Sequence, residues 1–115
     1  MNYSKLMNVL IVEDSEIDRE ILKHYLYDSF NSIMFASDGK EGFNLFQTHN
    51  IDLIITDIQM PGFNGFELIQ KVRELNSNVY IIISSSYYDT QNLLKAIELD
   101  VDGFLVKPFD VSQFT

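Results

Sequence analysis

Apolar residues along this chain follow two alternating rhythms. Short unbroken apolar runs stop abruptly at polar or acidic residues, as buried strands do where they meet a loop. Between them, apolar positions recur at the three-to-four-residue spacing of helices packed on one face. The runs are residues 7–12 (MNVLIV), 32–36 (SIMFA), 52–56 (DLIIT), 79–84 (VYIIIS) and 103–106 (GFLV). The first helical stretch extends from Ser15 to about Phe30, with Ile17, Ile21, Leu22, Tyr25 and Leu26 on one face. Others cover residues 40–48, burying Phe43 and Phe46, then the stretch bearing Leu68, Ile69, Val72 and Leu75, then residues 90–99. Ser15 with Asp18 three residues later resembles a capping box. Asp38-Gly39 reads as a turn. Gly42, inside a helix where it costs about 1 kcal/mol relative to Ala, predicts a tight contact. Residues 109–115 read as the start of a fifth helix too short to cover the last strand. Strict alternation of strand and helix predicts an α/β fold, a parallel sheet with helices on both faces.

Length and composition narrow this picture. At 115 residues, without internal repeat, low-complexity stretch or linker, the chain predicts one domain with one core. A 46% hydrophobic fraction is enough to fill that core. The formal net charge of −9 argues against direct binding of nucleic acid or anionic lipid, whose electrostatic attraction would be absent. No apolar run approaches the roughly 20 residues that span a bilayer, so no membrane insertion and a cytoplasmic location are expected. The absence of Cys removes disulfides and thiolate chemistry. His24 and His49 have no partner motif and read as surface residues, and Asp18, Asp28, Asp38 and Asp52 read as caps, turns and solvated faces.

The candidate chemistry lies where strands end. In open parallel sheets ligands bind beyond the carboxyl ends of the strands. There the chain places Glu13 and Asp14 after the first strand, Asp57 after the third, Ser85 after the fourth and Lys107 after the fifth. Converging carboxylates repel unless a cation intervenes. A hard ion such as Mg2+ suits Asp14 and Asp57 as direct ligands and Glu13 through water. Asp57 as nucleophile, with Mg2+, Lys107 and the Ser85 hydroxyl around the phosphoryl oxygens, makes a set suited to phosphoryl transfer. Tyr87 and Tyr88 read equally well as partner-facing aromatics or as packing within their loop.

In sequence, VLIVED (residues 9–14), TDIQMPGFNG (56–65), SS (85–86) and LVKPF (105–109) resemble the response regulator receiver family, and the likeness spans essentially the whole chain. The resemblance implies a flavodoxin-like, doubly wound, five-stranded parallel sheet of order 2-1-3-4-5, here with its last helix truncated or incomplete. Residues 1–115 would form one receiver domain, either a chemotaxis-type single domain or a fragment of a longer regulator or hybrid kinase. Its function would be phosphorelay signal transduction. Asp57 would accept a phosphoryl group from a phosphohistidine in a reaction dependent on Mg2+ (or Mn2+), with the Gln59 backbone carbonyl on the metal and the backbone of Ile58 and Ser86 against the phosphoryl group. Ser85 and Phe104 would switch the face made by the fourth helix, fifth strand and fifth helix, while Gln59 and Tyr87 tune the rate of dephosphorylation. Implied partners are a histidine kinase or phosphotransfer protein, an output domain in cis, and a second copy on phosphorylation. Such a domain is no enzyme beyond weak self-catalysed phosphoryl transfer and autodephosphorylation.

Several residues depart from the family pattern. Ser85 stands where Thr is commoner, Phe104 where Tyr is frequent, and Ser86 where Ala is usual. Asp100-Val101 replaces a common Gly-Ala pair, which predicts a left-handed backbone at Asp100. The bond before Pro108 is typically cis in the family. Two other functions fit the fold: a receiver-like interaction domain that is never phosphorylated, and a metal-dependent aspartyl phosphohydrolase. The latter usually carries a second Asp two residues after its nucleophile, where this chain has Gln59.

Overall fold

Buried strands pointing the same way need helices to return the chain, and the computed structural model, which describes residues 6–60, 63–86 and 88–114, has that form. In chain order the elements are β1 (Asn8–Val12), α1 (Glu16–Leu26), β2 (Ser32–Ala36), α2 (Gly39–Thr48), β3 (Leu53–Thr56), α3 (Gly65–Leu75), β4 (Tyr80–Ser85), α4 (Thr90–Glu98) and β5 (Gly103–Val106). A 3-10 turn over Val111–Phe114 closes the described chain where the start of a fifth helix was expected. All strand pairs are parallel and the order is β2-β1-β3-β4-β5, the order implied by the family resemblance.

Alternate residues of each strand serve two cores. Leu10, Val12, Ile54, Ile81 and Ile83 face α2, α3 and α4, whose Phe46, Leu68, Ile69, Val72 and Ala96 complete that cluster. Val9, Ile11, Leu53, Ile55 and Leu105 face α1, meeting Leu22 and Leu26. The 3-10 turn joins this second face by stacking Phe114 on Tyr25, ring centroids 4.6 Å apart. It also covers the free edge of β5: the Gln113 side chain accepts from Val106 N–H at 2.6 Å and donates to Val106 O at 2.9 Å, as a neighbouring strand would.

Two expectations about α1 need correction. The helix ends at Leu26 rather than near Phe30, because Asp28 and Ser29 favour a turn, in which Ser29 N–H donates to Leu26 O. Phe30 instead packs beyond the helix against the α1-side core. Ile17 is 73% exposed, because at 100° per residue it points about 140° away from Leu22, the centre of the buried face. Strand β4 is shifted by one residue, to Tyr80–Ser85, which carries Ser85 into the sheet.

Asp100 has φ of 59°, the left-handed backbone expected of it, and Lys107-Pro108 is cis. Arg73 was not singled out from sequence, yet it organises the end of the sheet opposite the strand carboxyl ends. Its guanidinium donates to the carbonyls of Leu99, Ser77, Val79 and Asp100 and pairs with Asp102 at 3.7 Å. Pro61 and Gly62, within the TDIQMPGFNG motif, lie outside the described residues.

Gly39, Gly42 and Gly65 each set a close approach, and the last two bear on the site. A Cβ on Gly42 would come within 2.8 Å of Val12 Cγ2, the tight contact predicted for that position. A Cβ on Gly65 would overlap the Asp57 carbonyl oxygen outright and lie 2.9 Å from its carbon, so α3 starts against the backbone of β3's end. Gly65→Ala is therefore expected to cost about 1–3 kcal/mol as overpacking. Gly103→Ala, whose nearest contact would be Ile82 at 3.7 Å, should stay within about 0.5 kcal/mol of the parent. Urea midpoints at unchanged m would report both values.

Candidate functional site

The residues that follow the strands are held by the sheet itself, because the ladder overruns its strands by one rung. Glu13 N–H donates to Ala36 O at 2.9 Å, Asp57 N–H to Val12 O at 3.1 Å and Lys107 N–H to Ser85 O at 3.0 Å. Each side chain thus leaves the carboxyl edge from a backbone already fixed by its neighbour.

The Lys107 ammonium lies among carboxylates from separate segments. Its Nζ is 3.0 Å from Asp57 Oδ2 and 3.2 Å from Asp18 Oδ2, and it makes a close ion pair with Glu13 Oε1. Glu13 is fully buried and Asp57 8% exposed, so these charges are poorly screened. The second Glu13 oxygen accepts from Ser15 N–H at 3.1 Å, and Arg19 donates to the Glu13 carbonyl at 2.6 Å. Asp57 Oδ1 accepts from Ile58 N–H at 2.7 Å, while Thr56 Oγ1 donates to the Asp57 carbonyl at 2.9 Å. Burial raises the Glu13 pKa above the usual carboxylate range, against the opposing hydrogen bond from Lys107. Burial by itself would lower the Lys107 pKa, but its hydrogen bonds to Glu13 and Asp57 outweigh this and raise it, so the ammonium stays charged at neutral pH.

One ammonium does not balance this cluster. One carboxylate oxygen from each of Glu13, Asp14 and Asp57 lies within 4.8 Å of the others, and Asp18 adds a fourth acidic group beside Lys107. With all four ionised, three negative charges are left over. Glu13 Oε1 is buried, and its partner among the described residues is the Lys107 ammonium. A set of hard oxygen donors carrying surplus charge, with exposed Asp14 at its mouth, fits a divalent cation such as Mg2+ that keeps several waters.

Around this cluster the other residues singled out from sequence are placed as follows. Ser85 is fully buried at the end of β4, Ser86 is exposed, and Gln59 is exposed two residues beyond Asp57. Ile58 is buried and gives its N–H to Asp57. Phe104 is 41% exposed on β5. Tyr87 lies outside the described residues. Asp18, read from sequence as a cap or solvated residue, belongs to the site. Ser15 is the N-cap of α1 and takes the Asp18 N–H at 3.2 Å, which sets Asp18 in the first turn, next to the strand end. That spacing was the available signal. Arg19 was also passed over, and of the two readings given for Tyr88 the one found is packing within its loop. The Tyr88 hydroxyl donates to Ile83 O and Leu105 O, each at 2.8 Å, and burial pushes its pKa up to about 12, so it remains a donor at neutral pH.

Residues 9–115 match the family model described as the response regulator receiver domain. The transcriptional regulatory protein HptR of Staphylococcus aureus is 40% identical over 112 residues, covering 94% of this chain and 43% of its own length. The chemotaxis protein CheY of Halobacterium salinarum is 32% identical over 101 residues, covering 88% of this chain and 84% of its own. Among solved structures, the CheX-CheY-BeF3-Mg2+ complex of Borrelia burgdorferi contains a similar chain, with a TM-score of 0.86 and 31% identity, covering 93% of this chain and 82% of that one. This chain spans under half the length of several curated relatives, including 28% of a cyclic di-GMP phosphodiesterase of Thermotoga maritima.

Removing the one ammonium while leaving the carboxylates should expose their repulsion. Lys107→Met is expected to lose about 3 kcal/mol without divalent ions, at the low end for a broken buried pair because the lysine is 15% exposed. It should also gain more stability from millimolar Mg2+ than the parent does, since a competing cation has gone. Thermal melts with and without Mg2+ test both. An equal or smaller gain in the variant would show that Lys107 and the ion do not compete.

Proposed function

This chain belongs to the response regulator receiver domain family and acts in phosphorelay signal transduction, and from that premise we propose that its Asp57 carboxylate is the phosphoryl acceptor. The observation that carries this reading is the position of Asp57. It stands at the end of a buried central strand, with Lys107 3.0 Å from one oxygen, the Ile58 N–H 2.7 Å from the other, and two further carboxylates alongside.

In the proposed reaction an Asp57 oxygen forms a bond to phosphorus as the bond from phosphorus to the donor's imidazole nitrogen breaks, and the imidazole leaves with a proton from solvent. Little covalent chemistry is asked of the protein beyond this nucleophile, so its contribution is position and charge. Lys107 offers its ammonium to the transferred oxygens, and the N–H groups of Ile58 and Ser86 and the Ser85 hydroxyl are the neutral donors nearest in sequence to those oxygens. Asp14, Asp57 and the Gln59 carbonyl, with Glu13 through water, would hold a Mg2+ ion, which supplies positive charge against the phosphoryl oxygens. Gln59 and Tyr87 are the residues that tune the rate of dephosphorylation. Reset is by slow self-catalysed hydrolysis, and the chain is a signalling module rather than an enzyme acting on other substrates.

A phosphoryl group shifts a conformational equilibrium only by its differential contacts with the two states. Ser85, buried at the end of β4, supplies that difference and Phe104 follows it. The surface they alter carries exposed Leu94, Ile97, Phe104, Val106 and Val111, an apolar stripe suited to a protein partner. Receivers take phosphoryl groups from histidine kinases or phosphotransfer proteins. This chain's donor is one of these, reached from the cytoplasm, and its output is a protein contact, either with a module in cis or with a second phosphorylated copy, rather than direct contact with nucleic acid. Residues 1–115 act as one receiver unit. Among the described residues no helix is long and apolar enough to cross a membrane.

Incubation with Mg2+ and a small-molecule phosphoryl donor, followed by intact mass measurement, is expected to show a single phosphoryl adduct on the parent and none on Asp57→Asn. An unmodified parent, or an adduct surviving the substitution, would refute Asp57 as acceptor.

A further inference from the structure

The segment joining β4 to α4 follows Ser85, and among its described residues Tyr88 is the aromatic whose side chain folds back into the protein. Tyr88 packs against the core cluster formed by α2, α3 and α4. Its hydroxyl shares one proton between the carbonyls of Ile83 on β4 and Leu105 on β5, bridging two strands just before they deliver Ser85 and Lys107 to the site. Its ring stands edge-on to Phe104, with centroids 5.3 Å apart and planes at 88°.

Phe104 pairs with Ile83 across the β4–β5 ladder, and paired residues in a parallel sheet project from the same face. That face carries the cluster containing Ile83, and Tyr88 already packs there, while Phe104 remains 41% exposed beside it. An inward Phe104 would have to enter space that the Tyr88 ring occupies. Phe104 has no phenolic hydroxyl of its own, and here the phenol that bonds the strand carbonyls comes from Tyr88 in the loop between β4 and α4.

We propose that Tyr88 is a positioning residue that latches the resting state, filling the place an inward Phe104 needs and tying the β4–α4 segment to both strands until Ser85 moves. The proposal rests on the reading of Asp57 as acceptor and of Ser85 and Phe104 as switch residues. When the competent state is a minor one, apparent affinity for an activating ligand scales with its population. Weakening the latch by one hydrogen bond therefore tightens binding of a phosphoryl analogue.

Calorimetric titration of the full chain with beryllofluoride in Mg2+ tests this in the parent, Tyr88→Phe, Phe104→Ala and the double variant. Tyr88→Phe keeps the ring and should bind roughly fivefold more tightly, the net worth of one hydrogen bond. A purely structural role would move affinity the other way. In the Phe104→Ala background the gain should disappear, because no ring waits to enter. Hydrogen exchange without the analogue should show amides in the first turn of α4 opening roughly fivefold faster in Tyr88→Phe, by the same hydrogen-bond argument. Unchanged or weaker binding by Tyr88→Phe, or a gain that persists without Phe104, would overturn the latch. If the parent takes up no beryllofluoride, the Asp57 reading falls, and the exchange comparison alone decides whether Tyr88 restrains α4.

Discussion

Glu13, Asp18 and Asp57 reach one small volume from three different stretches of chain, and the Lys107 ammonium among them is what offsets their repulsion. The geometry of the sheet makes this possible. Asp57 leaves the central strand β3, Glu13 and Asp14 leave β1 on one side, and Lys107 comes from the edge strand β5, two strands away on the other. With strands about 4.8 Å apart, only a long cationic side chain spans that gap. The residues it passes at the end of β4 are the small Ser84 and Ser85. The register of β3, β4 and β5 therefore has to be right before the Asp57–Lys107 pair forms, and that of β1 before Glu13 joins it, and the ladder hydrogen bonds that overrun β1, β3 and β5 carry that register into the site.

Much of this was legible in the chain because parallel strands buried on both faces read as unbroken apolar runs, and four of the five runs stop where a candidate functional residue begins. Strand order was legible only through the family motifs, since alternation alone does not say which strand neighbours which. Local rules reached less far where a partner is chosen across the fold. Asp18 looked like any first-turn acidic residue, and nothing nearby in sequence announces a lysine 89 positions later that lies 3.2 Å away. Arg73 had the same difficulty, since the carbonyls of Leu99 and Asp100 that it binds are assembled by the turn after α4. Tyr87 and Tyr88 were indistinguishable as adjacent aromatics, and only the position of β4 and β5 beneath the loop gives Tyr88 its two acceptors.

The two ends of the sheet are built to different tolerances. Away from the site, Arg73 fastens the end of α3 to the segment leading into β4 through the carbonyls of Ser77 and Val79, and to the turn between α4 and β5 through those of Leu99 and Asp100 and the Asp102 carboxylate. At the site end, α4 enters from a loop for which Tyr88 is the described anchor. Along its length Ala96 is the one fully buried residue, whereas α3 buries Phe66, Leu68, Ile69 and Val72. Shifting α4 would uncover little apolar surface, and shifting α3 a great deal, so burial alone makes α4 the cheaper helix to move.

The contact of Gly65 with the Asp57 backbone gives the contrast between α3 and α4 a use in protein engineering. Because α3 begins with no clearance against the Asp57 carbonyl, it acts as a depth stop, and remodelling its inner face would change the height of the carboxylate as well as the packing. Anyone grafting this domain into a new circuit should leave α3 untouched. Leu93, Leu94 and Ile97 on α4 can be rewritten for a new partner at little cost to the core beneath them.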